Sequence, residues 1–324
     1  MVSDTRPHTM ERRTAFQLAA ALGATFAMPT LQSAAIPNAS ATSQPVSILS
    51  QLPGLKPSPR MPVLFIGHGS PMNVIEDTRW RRGWQALGQQ FGSGPGAKYP
   101  QPQLILCISA HWITRGWQVT GMDKPATIHD FGGFPRELFD MQYPAPGWPA
   151  VAEGISAALR NPPVEVDEHQ WGLDHGSWSV LQPMFPAASI PVLQLSMDYS
   201  RPPQEHLALG QQLRALREQG VLIVGSGNTV HNLRAMARTA ADNQAHDWAI
   251  EFDTVTARHL STGNHAELAN FLALGNLAKM AHPTHDHFLP LLHAAGAVHD
   301  GEAPAFFNEG FQMAAIGMRS VVWG

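Results

Sequence analysis

The chain has 324 residues, of which 44% are hydrophobic and 14% charged, and a formal net charge of −4. Such a composition supports a large packed core and excludes global disorder, and the lack of a basic stripe argues against nucleic acid as a partner. The single cysteine, Cys107, excludes an intrachain disulfide and any cysteine-built zinc or iron–sulfur centre; inside an apolar run it reads as a small buried hydrophobe.

Residues 1–41 read as an export signal. Arg12-Arg13 precedes an apolar stretch from Ala15 to about Met28, and small residues follow, with Ser33-Ala34-Ala35 or Ala39-Ser40-Ala41 as cleavage sites. Adjacent arginines before a weakly hydrophobic stretch point to the twin-arginine route and a periplasmic address. The alternative is a cytoplasmic extension, with Met10 as a second start. Gln17, Gly23 and Thr25 interrupt the apolar run, so no stable membrane insertion is expected. Residues 42–60, rich in Ser, Pro and Gln, are expected to form a flexible linker, and the folded domain to span 61–324.

From there strands and helices alternate. Val63–Ile66 is an apolar strand, and Asp77–Phe91 a helix with Trp80, Trp84 and Leu87 on one face. Leu104–Ile108 is a second buried strand. Residues 115–147 lack periodicity and read as a long functional loop. Pro149–Leu159 is a helix; Val164–Val166 and Pro191–Leu195 are strands. Pro203–Gln219 is a helix closed by Gly220, and Val221–Val224 another buried strand. Asn243–Leu260 and Asp286–Ala295 are helical, and Gln312–Ile316 with Arg319–Trp323 is expected to pair around Gly317. This alternation predicts a single three-layer α/β/α domain with a mixed, largely parallel central sheet.

Histidines recur where such a sheet opens. Gly67-His68-Gly69-Ser70-Pro71, Ser109-Ala110-His111-Trp112 and Thr229-Val230-His231-Asn232 each follow an apolar run. The carboxyl ends of neighbouring parallel strands face one crevice, and imidazole is the commonest protein metal ligand, so His68, His111 and His231 are candidate ligands. Asp174-His175-Gly176-Ser177-Trp178 and the run His282-Pro283-Thr284-His285-Asp286-His287 add more imidazoles. Asp130, Asp174, Asn228 and Asn232 are candidates to orient them. His129 lies in the loop expected to act as a lid. His246, His293 and His299 lack such context and are read as solvated. Arg115, Lys124 and Arg136 are the loop cations available to a substrate carboxylate, though solvation is the ordinary fate of each.

In this order, Gly-His-Gly-Ser-Pro-Met-Asn, Ser-Ala-His-Trp, Thr-Ile-His-Asp-Phe-Gly-Gly-Phe-Pro, Tyr-Pro-Ala-Pro-Gly, Trp-Gly-Leu-Asp-His-Gly-Ser-Trp and Ser-Gly-Asn-Thr-Val-His-Asn-Leu resemble the class III extradiol ring-cleavage dioxygenases. The match is best to their 4,5-DOPA extradiol subfamily and runs from about Met61 to the C-terminus. The resemblance implies cleavage of a catechol by O2 to a muconic semialdehyde-type product, at one metal per chain. It implies His68, His111 and His231 as ligands, His287 as a further histidine at the metal, His175 as acid/base and His129 as a substrate-pocket residue. The wider superfamily uses two histidines and a carboxylate. An all-histidine set suits Fe(II) or Zn(II) alike, and the oligomeric state is left open. Two other readings stand beside it: a zinc-dependent hydrolase, and a non-catalytic protein that holds metal or a phenolic ligand. Against the first, neither His-Glu-x-x-His nor Gly-x-Ser-x-Gly is present.

Overall fold

In the computed structural model, which describes residues 48–324, the apolar runs become the middle of one eight-stranded sheet. Its strands are β1 (Val63–Gly67), β2 (Leu104–Thr114), β3 (Trp117–Thr120), β4 (Val164–Asp167), β5 (Val192–Asp198), β6 (Val221–Gly227), β7 (Pro304–Phe307) and β8 (Ser320–Trp323). Their spatial order is β4-β3-β5-β2-β6-β1-β8-β7. The run β5-β2-β6-β1 is parallel, whereas β8 and β7 pair antiparallel at one edge and β3 runs antiparallel to β5. The sheet is therefore mixed with a parallel centre, as its continuously apolar central strands require.

Both faces of that centre are covered. Leu64, Ile66, Ile105, Cys107, Leu222 and Val224 point to one side, against Trp80, Trp84 and Leu87 of α1 (Arg79–Gly88) and Trp178 and Leu181 further along the chain. Val63, Phe65, Leu106, Leu193 and Ile223 point to the other. There they meet α2 (Pro149–Ala158) and, beyond α3 (His175–Met184), α4 (Pro203–Leu213), α5 (Asp247–Ser261) and α6 (Leu289–Gly296). Helix α3 lies on the first side and supplies Trp178 and Leu181. The result is the expected three-layer α/β/α domain. Cys107 is fully buried, and burial pushes its thiol well above the usual range, which suits packing and not nucleophilic chemistry. Among the described residues no helix is long and apolar enough to cross a membrane.

Several expectations change. The export segment, 1–41, and residues 42–47 lie outside the described residues. From residue 48 onward the expected linker is docked: Leu49 and Leu52 are buried in the core, and the Leu52 N–H donates to Gln219 Oε1 at 2.8 Å. Burial of two leucines outweighs the polar composition around them. The strand 320–323 does not pair with 312–316; it lies between β1 and β7, and Phe311–Gln312 pairs only with Ile316–Gly317. The helix expected from Asn243 begins at Asp247, and that expected from Asp286 begins at Leu289. Residues 115–147 are not one loop, since β3 and a short helix at Arg136–Asp140 form within them. His293 is fully buried, not solvated, with its Nε2 3.0 Å from Nδ1 of buried His206.

Candidate active site

The carboxyl ends of β1, β2 and β6 open onto a cavity of about 490 Å³. That volume suits a small ligand. His68, His111, His175, His231 and His287 line it, together with Phe131, Phe134, Met236 and Met313. His68 follows β1 directly. Gly69 takes φ +58°, so the chain turns sharply, and Ser70 then caps a short 3-10 turn beginning at Pro71. His111 is not at a strand end, as expected, but inside β2. The register against β5 shifts between Ile108 and Ile113, and this irregularity turns the imidazole into the cavity.

The sequence reading did not anticipate a helix at His175. Asp174 caps it, accepting the Ser177 N–H at 3.1 Å. Asp174 was expected to orient a histidine. It is instead fully buried and spent on Ser109 (2.6 Å) and Gln194 (2.7 Å), and burial raises its carboxyl pKa. Gly176 lets this helix approach β2: a Cβ there would stand 2.4 Å from Ser109 Oγ and 2.8 Å from His111 Cδ2. The imidazoles of His111 and His175 accordingly lie 3.9 Å apart between centroids.

Three imidazoles converge. The ring nitrogens of His68, His111 and His287 lie within 4.8 Å of one another, and the Nε2 atoms of His68 and His111 are 3.2 Å apart. Hydrogen bonds assign the tautomers of His68 and His287. Ser226 Oγ donates to the Gly176 carbonyl, so it accepts from His68 Nδ1 at 3.1 Å. Asp130 Oδ2 faces His111 Nδ1 at 3.4 Å, and the Asp286 carboxylate accepts from His287 Nδ1. In His68 and His287, Nδ1 therefore carries the proton and Nε2 presents a bare lone pair. Two Nε2 atoms aimed at each other across 3.2 Å need a shared proton or a cation between them. With metal–nitrogen bonds of about 2.0–2.1 Å, adjacent ligands of one ion stand about 3.0–3.4 Å apart. The donor set therefore fits a metal.

Electrostatics agree. Burial, then the charge His175 would carry, pushes His111 down to about 3, against an upward pull from Asp130. Burial and the neighbouring imidazoles drive His68 and His287 well below the usual range, and burial takes His231 to about 4. Neutral imidazoles at ordinary pH are what a metal requires.

His231 lines the cavity and, with Asp286 and His287, forms a second group able to hold an ion beside the trio of His68, His111 and His287; its ring stacks on His287, with centroids 3.4 Å apart and planes 6° from parallel. Its backbone N–H donates to the Ala281 carbonyl at 2.9 Å. His129 does not line the cavity. Its Nε2 lies 3.0 Å from the Met141 carbonyl oxygen, and its ring packs beside Phe131 and Trp178. It buttresses the aromatic wall from behind. Asn228 and Asn232 bond to the backbone at Gly317 and Met280, away from the imidazoles. Ser226 and Asp286 were missed as orienting groups. Asp286 was visible as the neighbour of His287, whereas nothing in the local sequence of Ser226 points to His68.

His175 has a different partner. Its backbone N–H donates to Asp130 Oδ1 at 2.9 Å, and its Nδ1 lies 2.9 Å from the same oxygen in a charge contact off the hydrogen-bond axis. Burial would raise the Asp130 carboxyl. The contacts with His175, then the charge of His111, hold it down at about 2. A fixed carboxylate thus sits behind one imidazole of the cavity and beside a second.

Residues 62–323 match the family described as the catalytic LigB subunit of aromatic ring-opening dioxygenase. A 4,5-DOPA dioxygenase extradiol from Escherichia coli (strain K12) is 45% identical over 271 residues, covering 82% of this chain and 96% of that protein. One from Beta vulgaris is 37% identical over 237 residues, covering 72% and 85%. The crystal structure of the uncharacterized protein JW3007 from Escherichia coli K12 superposes with a TM-score of 0.69 at 40% identity, covering 82% of this chain and all of that one.

Proposed function

The chain belongs to the LigB family of aromatic ring-opening dioxygenases, and from that premise we propose that His68, His111 and His287 hold its metal and that His175 is its acid/base. The activity is metal-dependent extradiol cleavage of a catechol-like ring by O2, and not the hydrolysis or passive binding weighed from sequence. One observation carries the ligand assignment: the Nε2 atoms of His68 and His111 face each other 3.2 Å apart, with Nδ1 of His68 bonded to Ser226 and Nδ1 of His111 turned toward Asp130. When bound, a divalent ion lowers the pKa of a coordinated hydroxyl and draws diol and dioxygen together.

The protein supplies the rest. His175 turns Nδ1 toward Asp130, which leaves Nε2 to take the second hydroxyl proton of the catechol. Asp130 stabilises the imidazolium so formed, and His175 returns the proton during O–O cleavage. Phe131, Phe134, Met236 and Met313 wall the ring in an apolar space. His231 supports His287 by stacking. The substrates we assign are catechols of the DOPA type, after which the Escherichia coli and Beta vulgaris relatives are named. Zinc has no redox chemistry, so we assign Fe(II) as the working ion.

Anaerobic loading with Fe(II), then mixing with DOPA or 4-methylcatechol in an oxygen electrode, tests this reading. One O2 consumed per catechol and a yellow semialdehyde are expected; no uptake with any catechol overturns it.

For residues 1–41 we propose twin-arginine export, supported by Arg12-Arg13 and the weakly apolar stretch after them. N-terminal sequencing of protein from the periplasmic fraction is expected to begin after residue 33. Intact Met1 or Met10 rejects export.

A further inference from the structure

Arg238 is the only cationic side chain, apart from the histidines, among the described residues lining the cavity, and no carboxylate lines it. It shares the wall with Leu233, Met236 and the aromatic pair Phe131 and Phe134. Among the described residues its guanidinium has no acidic partner, unlike Arg136, which holds Asp140 at 2.8 Å, or Arg319, which holds Asp253 at 2.7 Å. Its backbone is anchored, because the neighbouring Ala237 N–H donates to the Met313 carbonyl at 2.9 Å. The loop cations Arg115, Lys124 and Arg136 do not line the cavity at all.

A guanidinium at the rim of an apolar cavity with no acid to neutralise it is suited to a planar anion, which it grips through two parallel N–H donors. The diol end of a catechol is committed to the histidines, so an anion meeting Arg238 must sit on the ring substituent. Building on the ring-opening reading above, we infer that Arg238 binds the carboxylate of a catechol acid and sets the preference of this enzyme for acids over neutral catechols. Arg238 is a specificity-determining residue; the proton transfers stay with His175.

A matched pair of substrates isolates the effect. 3-(3,4-Dihydroxyphenyl)propanoate and 4-ethylcatechol share ring and diol, and only the first carries a carboxylate. With the Fe(II)-loaded full chain, the wild type is expected to favour the acid in kcat/KM by about tenfold or more, the scale of one charge-assisted contact. Arg238→Gln is expected to abolish that ratio through KM for the acid, Arg238→Lys to restore part of it, and Arg136→Gln, outside the cavity, to keep the wild-type ratio. An Arg238→Gln enzyme with the wild-type ratio overturns the inference while leaving the ring-opening reading intact. If the wild type opens neither catechol, the ring-opening reading fails and the inference falls with it.

Discussion

Asp130 grips His175 twice through one oxygen: Oδ1 accepts the backbone N–H at 2.9 Å and lies 2.9 Å from the ring Nδ1. The second oxygen faces Nδ1 of His111 at 3.4 Å. One carboxylate therefore aligns a proposed metal ligand and the proposed base together. Because contacts with both histidines hold it ionised down to about pH 2, it is charged wherever the enzyme operates.

Asp130→Asn tests that role. The amide keeps the size and one acceptor oxygen but loses the charge that stabilises an imidazolium. We expect turnover per bound ion to fall about 100-fold, with KM within a few-fold, and metal affinity to fall about tenfold because the carboxylate also faces His111. Steady-state oxygen uptake with metal analysis of the same sample is the check. Loss of metal with unchanged turnover per bound ion would assign Asp130 to His111 alone.

The ligand set is open to a direct count. His68→Ala, His111→Ala and His287→Ala each remove one imidazole from the converging trio and are expected to lower metal affinity by 100-fold or more, on the scale of a lost ligand. His231→Ala removes a ring stacked on His287 and outside that trio, and is expected to lower it about tenfold or less. Titration of metal-stripped variants with Fe(II) under anaerobic conditions decides. Should His231→Ala fail to bind metal while His287→Ala binds it, the two residues exchange roles.

Gly176 of helix α3 faces the side chains of Ser109 and His111 on the ligand strand. An alanine methyl would stand 2.8 Å from His111 Cδ2 and 2.4 Å from Ser109 Oγ, and that hydroxyl is tied to buried Asp174. The His111 ring must yield. Gly176→Ala is expected to retain the far-UV circular dichroism of the wild type and to lose at least 90% of activity, on the order of a tenfold or larger fall for a ligand displaced by a few tenths of an ångström. Wild-type activity would mean that the strand irregularity at His111 absorbs the methyl.

How far the site was legible follows from distance along the chain. His68 and His111 were legible because each follows an apolar run, although His111 proves to lie inside its strand and enters the crevice through the register shift there. His175 was legible through its motif, but its helix was hidden by Gly176 and Pro183, both of which argue locally against helix. The pairing of Asp130 with His175 spans 45 residues, and no local pattern encodes it. The same holds for Ser226 with His68, 158 residues apart, and for Arg238 at the cavity rim. His231 and His287 were both legible as histidines; which of them meets His68 depends on the way 281–287 folds back on β6, where the Asn228 N–H donates to the His287 carbonyl at 2.9 Å. The sheet centre was read correctly because its strands are apolar throughout. The edge strand Pro304–Phe307 was missed, being short and half-buried.

Buried imidazoles outside the proposed ligand set give the protein a predictable acid limit. Burial holds His206 at about 4 and His282 at about 3, and His293 well below its usual range, whereas all three titrate near 6.5 in the unfolded chain. Below pH 6.5 the unfolded state therefore binds protons that the folded state refuses, so stability must fall as pH falls. The sign is fixed: their contribution is fully present above 6.5 and is lost progressively toward pH 4 and then 3. For His206 alone the loss is at most about 3 kcal/mol. His206 and His293 share one hydrogen bond at 3.0 Å, which protonation of both rings would turn into a repulsion. In calorimetry of the metal-stripped chain, Tm is expected to be level between pH 8 and 7 and to drop steadily from pH 6.5 to 4. Metal-loaded protein should start higher and fall more steeply, since protons also compete for its ligands. A Tm of the stripped chain that stays level down to pH 4.5 would mean that these histidines are reached by water and are not held neutral by the core.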